Sequence, residues 1–206
     1  LLDQLADRFM TEGWSVKKLV RELVLTRAFQ SVGRPSESAR LLDPENHAFS
    51  HYSSRGAEAE VVRDHLLAVA GRLNLQMYGP SVHPYRASAD NEKRLFAGPL
   101  DGDGRRSLYI KFQLMEQPAF LRAFNLPGGK VVEGRRGSSH TVEQSLAMLN
   151  DPLVLLLADH WANQVMSERV ESSAHRIRMM FRRALSREPT EVELRRFVEA
   201  VEEFGR

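Results

Sequence analysis

The amino-acid sequence predicts a mainly α-helical domain, built as an orthogonal or bundle-like packing of several helices. Apolar residues recur at helical spacing through both ends of the 206-residue chain, and capping residues precede several of these periodic segments. With 42% hydrophobic residues, the chain can also bury a core large enough to fold unaided. We therefore expect residues 1–206 to form a single helical domain, with one small two-stranded β element and one long loop rich in proline and glycine.

Two amphipathic helices are predicted at the start of the chain. The first has apolar residues at i, i+3 and i+4 spacing from Leu2 to Met10, and Gly13 is placed to end it. Ser15 predicts the N-cap of the second helix, whose apolar stripe continues to Phe29. Because the connection is short, an antiparallel hairpin is expected.

A loop and a short helix are predicted next. Residues 30–40 lack an apolar period and contain a glycine, a proline and three serines, which favours a surface loop. Asp43 then predicts the N-cap of a short helix, with Pro44 at its first position and Glu45 at the favourable end of the helix dipole.

The longest helix is predicted from about Gly56 to Ala70. Its apolar period assigns an inward face to Val61, Val62, His65, Leu66, Val69 and Ala70. The charged residues Glu58, Glu60, Arg63 and Asp64 are distributed around it.

The segment from Gln76 to Arg106 is predicted to be a long loop inserted in the helical domain. Its Gly-Pro, His-Pro and Asp-Gly pairs are incompatible with a long regular element, and loops of this length often carry function. Residues Ser107 to Gln113 alternate apolar and polar side chains, so a strand is expected there, paired with Lys130 to Glu133.

The last third of the sequence predicts four more helices. They run from Thr141 to Leu149, from Pro152 to about Met166, from Ser173 to Leu185 and from Thr190 to Phe204. Thr141 and Gln144 have the spacing of a capping box. Five arginines lie between Arg176 and Arg187, and we expect them to form salt bridges with the glutamates of the final helix.

Composition excludes several classes of function. The net charge of +2 indicates neither a nucleic-acid nor an anionic-membrane partner. The absence of cysteine rules out disulfides, thiolate metal sites and covalent c-type haem attachment within this chain, so we expect no cofactor here. No membrane-spanning segment is predicted, because the longest apolar run, residues 153–158, is far shorter than the ~20 residues that a bilayer requires.

Metal sites have only weak candidates. His47 and His51 are four residues apart and would share one helical face, a spacing that can bind a transition metal, but no third ligand is evident. A surface pair of histidines is therefore favoured. Asp101 and Asp103 could hold calcium, but Arg105 stands where a further oxygen ligand is needed, which favours a polar turn.

Carboxylates of the longest predicted helix are the candidates for catalysis. Glu58, Glu60 and Asp64 could act with His83 as acid and base groups on a polysaccharide. Their spacing beside two arginines favours an ion-pair network on a helix face instead. A possible binding surface comprises Arg63, Asp64, His83, Tyr85, Arg106 and His140.

The order of several short motifs resembles a planctomycete-specific domain of unknown function. The resemblance spans nearly the whole chain and rests on Gly13-Trp14, Asp43-Pro44-Glu45-Asn46, Arg63-Asp64, Gly79-Pro80-Ser81-Val82, Arg106-Ser107-Leu108-Tyr109 and Leu149-Asn150-Asp151-Pro152. The chain departs from the family pattern at His140, where an Asn-containing run is usual, and at Asn125, where Asp is common.

This resemblance implies a setting and no activity. Relatives are C-terminal domains of large exported or cell-envelope proteins that often carry cytochrome c domains, so haem is expected only in other domains of the parent protein. Because the sequence begins at Leu1 within a helical pattern, we expect it to be a fragment of such a protein.

The leading prediction is a non-catalytic module that docks other domains of the parent protein, or a protein or glycan ligand. The alternatives are an enzyme or binding domain acting on polysaccharide, and a support for a cytochrome c domain.

Overall fold

The computed structural model describes residues 1–86, 96–112, 117–130, 134, 136–137, 139–170 and 172–204. These residues contain nine α-helices, which confirms the mainly helical prediction. Their contacts group into two compact units, Leu1–Arg55 and Gly56–Arg206. That residues 1–206 form one domain stays a prediction. No helix in the described part of the chain is long and apolar enough to cross a membrane.

The N-terminal unit begins with two helices, α1 (Leu2–Thr11) and α2 (Val16–Val24). Gly13 adopts a φ of 80° just after α1, and Ser15 Oγ accepts a 3.4 Å hydrogen bond from the backbone N–H of Lys18. Both predicted boundaries are therefore confirmed, although α2 ends before Phe29. An Arg8–Glu22 ion pair of 2.8 Å joins the two helices.

Helix α3 (Glu37–Leu42) lies where the sequence predicted a loop, and the helix predicted to start at Asp43 is wrong. Ser36 caps α3, whereas Asp43 ends it. Both carboxylate oxygens of Asp43 accept 2.8 Å hydrogen bonds, from the backbone N–H groups of His47 and Ala48, and these bonds lower its pKa. Asp43 thus stabilises a turn, because its side chain competes for backbone donors that a helix would use.

The second unit is built around helix α4 (Ala59–Val69), followed along the chain by α5 (Ala119–Ala123), α6 (Val142–Asn150) and α7 (Pro152–Ser167). Helix α4 packs against α5 and α7, and α6 packs against both of these helices. The buried core residues come mainly from α4, α5 and α7: Ala59, Leu67, Ala70, Phe120, Leu121, Leu153 and Leu157.

The predicted inward face of α4 is only partly right. Val69 and Ala70 are buried, but Val61 is 55% exposed, and Arg63, predicted on the charged perimeter, is only 4% exposed. Ala59, Arg63 and Leu67 follow one another at i, i+4 spacing and form the buried stripe. The buried face is therefore rotated relative to the predicted one, because it includes Arg63, which was expected on the charged perimeter.

Helices α8 (Ser173–Leu185) and α9 (Glu191–Phe204) pack on each other over Ile177, Phe181 and Leu194. Arg178 of α8 lies 3.5 Å from Glu191 of α9, so the predicted salt bridging between these helices is confirmed.

The predicted strand from Ser107 is wrong at its start, because Ser107–Tyr109 forms one turn of 3-10 helix. The next residue, Ile110, makes an isolated parallel bridge with Val82, which is the β structure found at this place. Gln113 and residues 131–133 of the predicted strand pair lie outside the described residues. The backbone N–H of Ser107 donates to an Asp64 carboxylate oxygen at 2.7 Å, and this tertiary contact favours the turn over an extended strand.

A capping box that the sequence analysis did not identify starts α9. The Thr190 hydroxyl accepts a hydrogen bond from the Glu193 N–H at 3.3 Å, and the Glu193 carboxylate accepts from the Thr190 N–H at 2.8 Å. Arg187 donates to both oxygens of the same carboxylate, at 2.7 and 2.9 Å. The Arg187 bond, followed by the Thr190 bond, lowers the pKa of Glu193 from its ordinary 4.5 to about 2.

Replacing Glu193 with Gln should reduce stability in a pH-dependent way. The folded-state pKa is below the ordinary value, so the carboxylate stabilises the fold above pH 4.5 and this contribution is lost as the pH falls towards 2. The difference in melting temperature between wild type and Glu193→Gln should therefore be greatest above pH 4.5 and vanish near pH 2. Thermal melts across this range measure it. Arg187→Gln should show the same pH dependence, and a difference that persists unchanged at pH 2 would contradict the assignment.

Candidate functional site

A buried arginine joins helix α4 to a distant part of the chain. Arg63 Nη1 donates to the carbonyl oxygen of Arg105 at 2.9 Å and to Ser107 Oγ at 3.2 Å, while Nη2 donates to the carbonyl oxygen of Asp101 at 2.6 Å. Burial lowers the pKa of the guanidinium, and the carboxylates of Asp64 and Asp101 oppose this shift. One side chain of α4 thus holds the backbone of residues 101–107.

Asp64, the next residue of α4, holds the same segment from another side. Its Oδ1 accepts hydrogen bonds from both the N–H and the hydroxyl of Ser107, each 2.7 Å long. Arg106 Nε lies 3.7 Å from Asp64 Oδ2. We name this arrangement of Arg63, Asp64 and residues 101–107 the arginine clamp.

Further contacts attach the described ends of the predicted 76–106 loop to the clamp. Asp101 Oδ2 accepts from Arg72 Nη2 at 2.8 Å. Arg105 donates to the carbonyl oxygens of Gln76 and Tyr78 at 3.2 and 2.6 Å, and its guanidinium carbon lies 3.9 Å from the centre of the Tyr109 ring. Residues 76–86 and 96–106 are therefore held by specific contacts, whereas residues 87–95 lie outside the described part.

Close backbone approach at Gly104 explains why glycine stands in the clamp. Its φ is 67°, and a Cβ atom there would lie 2.1 Å from the carbonyl oxygen of Arg72. The N–H of Asn74 also donates to the Gly104 carbonyl at 2.8 Å. A side chain at this position would push residues 72–74 away from the clamp.

The clamp borders a cleft of about 740 Å³. Its wall is mainly apolar, and its exposed apolar side chains include Val61 (55% exposed), Leu108 (74%) and Phe112 (44%). The other lining residues are Glu58, Glu60, Asp64, His65, Leu73, Leu75, Arg106, Ser107, Ile110, Lys111, Pro118, Leu121 and Leu126. Charged residues at an apolar cleft of this size are typical of a binding site.

Two of the cleft carboxylates share one arginine. Arg136 Nη1 lies 2.7 Å from Glu60 Oε2 and 3.0 Å from Glu58 Oε2. Burial is the largest influence on the pKa of Glu60 and raises it, but the hydrogen bond from Arg136, a backbone hydrogen bond and the charge of Arg136 together outweigh burial, and the net shift is downward. The bond to Glu60 likewise raises the pKa of Arg136. The lowered pKa favours the ionised form of Glu60, and the charge of Arg136 balances it.

The structure brings together some of the predicted site residues and separates others. Glu58, Glu60, Asp64 and Arg106 line the cleft, whereas Arg63 is buried in the clamp. Tyr85 lines a smaller cavity, His83 packs edge-on against Phe96 with ring centres 5.2 Å apart, and His140 is exposed. The four proposed catalytic residues thus include three that share a cleft and one, His83, that does not line it.

The histidine pair lies in irregular backbone and not on a helical face. His47 Nε2 lies 2.9 Å from Glu45 Oε2, and His51 Nδ1 lies 3.2 Å from Ser50 Oγ. Within the described ranges, no group of three or more histidine or acidic side chains could hold a metal ion. Asp101 and Asp103 form a turn, in which the N–H of Asp103 donates to Asp101 Oδ1 at 3.0 Å.

Sequence reasoning missed Leu108, Phe112 and Arg136 as parts of the site. The first two belonged to a predicted strand, where alternation gave no indication of a cleft. Arg136 is 76 residues from Glu60, and no local pattern connects them.

The fold and site define a helical domain in which a buried arginine clamp supports a cleft. Residues 1–201 match the model of the family PSD1, described as "Protein of unknown function (DUF1553)", and the chain belongs to this family. No curated protein and no solved structure matches the chain significantly.

Replacing Arg63 with Met should destabilise the second unit strongly. The substitution leaves buried acceptors of Asp101, Arg105 and Ser107 without their donor, and losses of about 3–5 kcal/mol in the free energy of unfolding are typical for such a change. Urea denaturation measures the loss. Arg122→Met, at an exposed position of α5, is the matched control. A loss at Arg63 below about 1 kcal/mol, as for an exposed ion pair, would show that the clamp is not structural.

Proposed function

We propose that the chain is a non-catalytic docking module of an exported multidomain protein, and that its cleft binds an apolar segment of another domain of that protein. The observation that carries this proposal is the exposed apolar wall of the cleft, supported from behind by the arginine clamp. A wall held in place by buried hydrogen bonds loses little conformational entropy when it binds. The exported, multidomain setting is supported by the resemblance to planctomycete-specific domains.

The composition of the cleft favours a protein segment over a polysaccharide. Leu108, Val61 and Phe112 offer aliphatic and single-ring surface, which suits apolar side chains of a partner. Several cleft charges already have partners within the chain: Glu58 and Glu60 pair with Arg136, and Asp64 accepts two hydrogen bonds from Ser107. These groups supply a polar rim to an apolar centre, which is the usual anatomy of a protein interface.

An enzyme acting on polysaccharide is the second candidate, because Glu58, Glu60 and Asp64 line one cleft. Glycoside hydrolysis requires a carboxylic acid whose pKa is raised so that it can protonate the leaving group. The pKa of Glu60 is shifted in the opposite direction, since Arg136 stabilises its ionised form. The electrostatics of this carboxylate therefore favour docking over acid catalysis.

Replacing Arg136 with Gln should raise the pKa of Glu60. The change removes the hydrogen bond and positive charge that lower this pKa and leaves the effect of burial, which raises it. A carboxyl titration followed by NMR measures the shift, and Arg122→Gln is the control. Unchanged titration of Glu60 would contradict the pairing.

An activity assay tests the enzyme directly. If the wild-type chain hydrolyses soluble polysaccharides and Glu60→Gln does not, the enzyme is favoured over docking.

Hydrogen exchange of the parent protein tests the docking itself. Amides of residues 106–112 should exchange more slowly in the parent protein than in the isolated chain, because the docked segment covers the cleft. Leu108→Glu should remove this protection by placing a charge on the apolar wall, whereas Leu155→Glu, at an exposed position of α7 outside the cleft, should retain it. Mass spectrometry of deuterium uptake measures both.

Two results would contradict docking within the parent protein. One is equal exchange of residues 106–112 in the parent protein and the isolated chain. The other is equal loss of protection in Leu108→Glu and Leu155→Glu, which would indicate general destabilisation. Protection that appears only after addition of soluble cell-wall oligosaccharides would indicate a glycan-binding cleft instead.

A further inference from the structure

A second, smaller cavity of about 180 Å³ lies beside the cleft. Its walls are mainly apolar and include four prolines, at positions 84, 99, 118 and 152. Of the lining residues, Phe120, Leu121 and Leu153 belong to the core, whereas Tyr85, Pro99, Ala119 and Pro152 are exposed and form the mouth. The cavity therefore opens to solvent on one side and ends against the core on the other.

The size of the cavity limits what it can hold. An engineered cavity of about 150 Å³ with apolar walls binds one benzene molecule. The cavity beside the cleft is about 180 Å³ in volume, so it has room for about one aromatic ring. Proline walls add rigidity, because their backbone φ angles are fixed, and a rigid apolar hole favours a rigid occupant.

Two charged residues, Arg63 and Asp151, also line the cavity. Arg63 donates to the Arg105 and Asp101 carbonyl oxygens and to Ser107 Oγ, and Asp151 Oδ1 accepts a hydrogen bond from the N–H of Leu153, so both charged groups already have partners within the chain. A neutral occupant therefore suits the cavity better than a charged one, which would have to compete with these partners. Guanidinium faces stack on aromatic rings, which combine apolar area with attraction to the positive charge.

The cavity and the cleft are adjacent. Ile110, Pro118 and Leu121 line both of them, so a segment lying in the cleft can insert one side chain into the cavity. Interfaces gain much of their binding free energy from a few aromatic anchors in well-packed pockets, surrounded by weaker contacts. The cavity has the size and position of such an anchor site.

We infer that this cavity binds one aromatic ring, supplied by a side chain of the same protein segment that occupies the cleft. This inference rests on the proposed function for the source of the ring. The chemistry of the cavity itself can be tested without a partner.

Binding of phenol and cyclohexanol tests the preference for an aromatic ring. The two probes are similar in size and both carry one hydroxyl, but only phenol has an aromatic face. Titration of the wild-type chain, followed by NMR shifts of the methyl groups of Leu100, Ile110 and Leu153, should show saturable binding of phenol. Cyclohexanol should bind at least about threefold more weakly. Equal affinities, or shifts scattered over the surface without saturation, would overturn the inference.

A filled cavity provides the matched test. Ala119→Phe places a ring at the mouth and should weaken phenol binding at least about tenfold, because the added side chain occupies the site. Ala158→Phe makes the same change at an exposed position of α7 that does not line the cavity, and it should leave binding unchanged. Undiminished phenol binding by Ala119→Phe would place the ring elsewhere. If this variant does not fold, the location of the wild-type methyl shifts decides the matter.

The source of the ring is tested in the parent protein. Ala119→Phe should increase deuterium uptake of residues 106–112, because the docked segment loses its anchor, while Ala158→Phe should not. Leu108→Glu separates the two proposals, since it should abolish docking and retain phenol binding. If phenol binds but residues 106–112 are not protected from exchange in the parent protein, both the docking and a partner side chain as the source of the ring are contradicted. Cleft protection without phenol binding would overturn the aromatic site alone.

Discussion

The second unit depends on the burial of one positive charge, the Arg63 guanidinium. Removing such a group from water is costly unless hydrogen bonds and opposite charges compensate. Here the carbonyl oxygens of Asp101 and Arg105 and the hydroxyl of Ser107 accept its hydrogen bonds, and the Asp64 carboxylate lies 3.6 Å from it. The compensation requires one arrangement of the chain, so the charge specifies the position of residues 101–107 on α4.

The positions of the cavity and of the cleft follow from this arrangement, because consecutive residues of a helix point about 100° apart. Arg63 contributes to the wall of the cavity and Asp64 to the wall of the cleft.

Local sequence signals predicted most helices because their boundaries are determined locally. Ser15 and Thr141 each accept a hydrogen bond from an N–H group three residues later, so the caps could be recognised without knowledge of the fold. The same type of signal failed at Asp43, since an Asp side chain stabilises turns as well as helix starts. It failed at Ser107 for a different reason. The alternation of residues 107–112 is typical of a strand, but the N–H of Ser107 donates a hydrogen bond to Asp64, and residues 107–109 form a helical turn.

The site was less predictable than the fold because its contacts are long-range. Arg63 and Asp64 were identified as site residues from the sequence. Arg63 also lies four residues from both Ala59 and Leu67, so it shares a helix face with two apolar residues, which indicates burial. The acceptors of Arg63 lie 38 to 44 residues away, and nothing in the local pattern selects them. The arginine that neutralises Glu60 is still more distant in sequence. A carboxylate cluster on a helix therefore resembles a catalytic site in the sequence, whereas in the structure its charges are paired within the chain.

Pairing of charges within the chain also explains how a cleft with polar residues can favour an apolar occupant. A carboxylate that already has its counter-ion loses little when a neutral segment covers it, but a charged ligand would have to compete with that counter-ion. Glu60 and Arg136 satisfy each other, and Asp64 is satisfied by Ser107, so in the proposed docking the exposed apolar side chains would provide most of the free energy of binding. The main role of the polar groups would then be to hold the wall of the cleft in position. Loss of the clamp would remove the cleft together with the fold, whereas a charge at Leu108 would change binding alone, because that side chain makes its contribution at the surface.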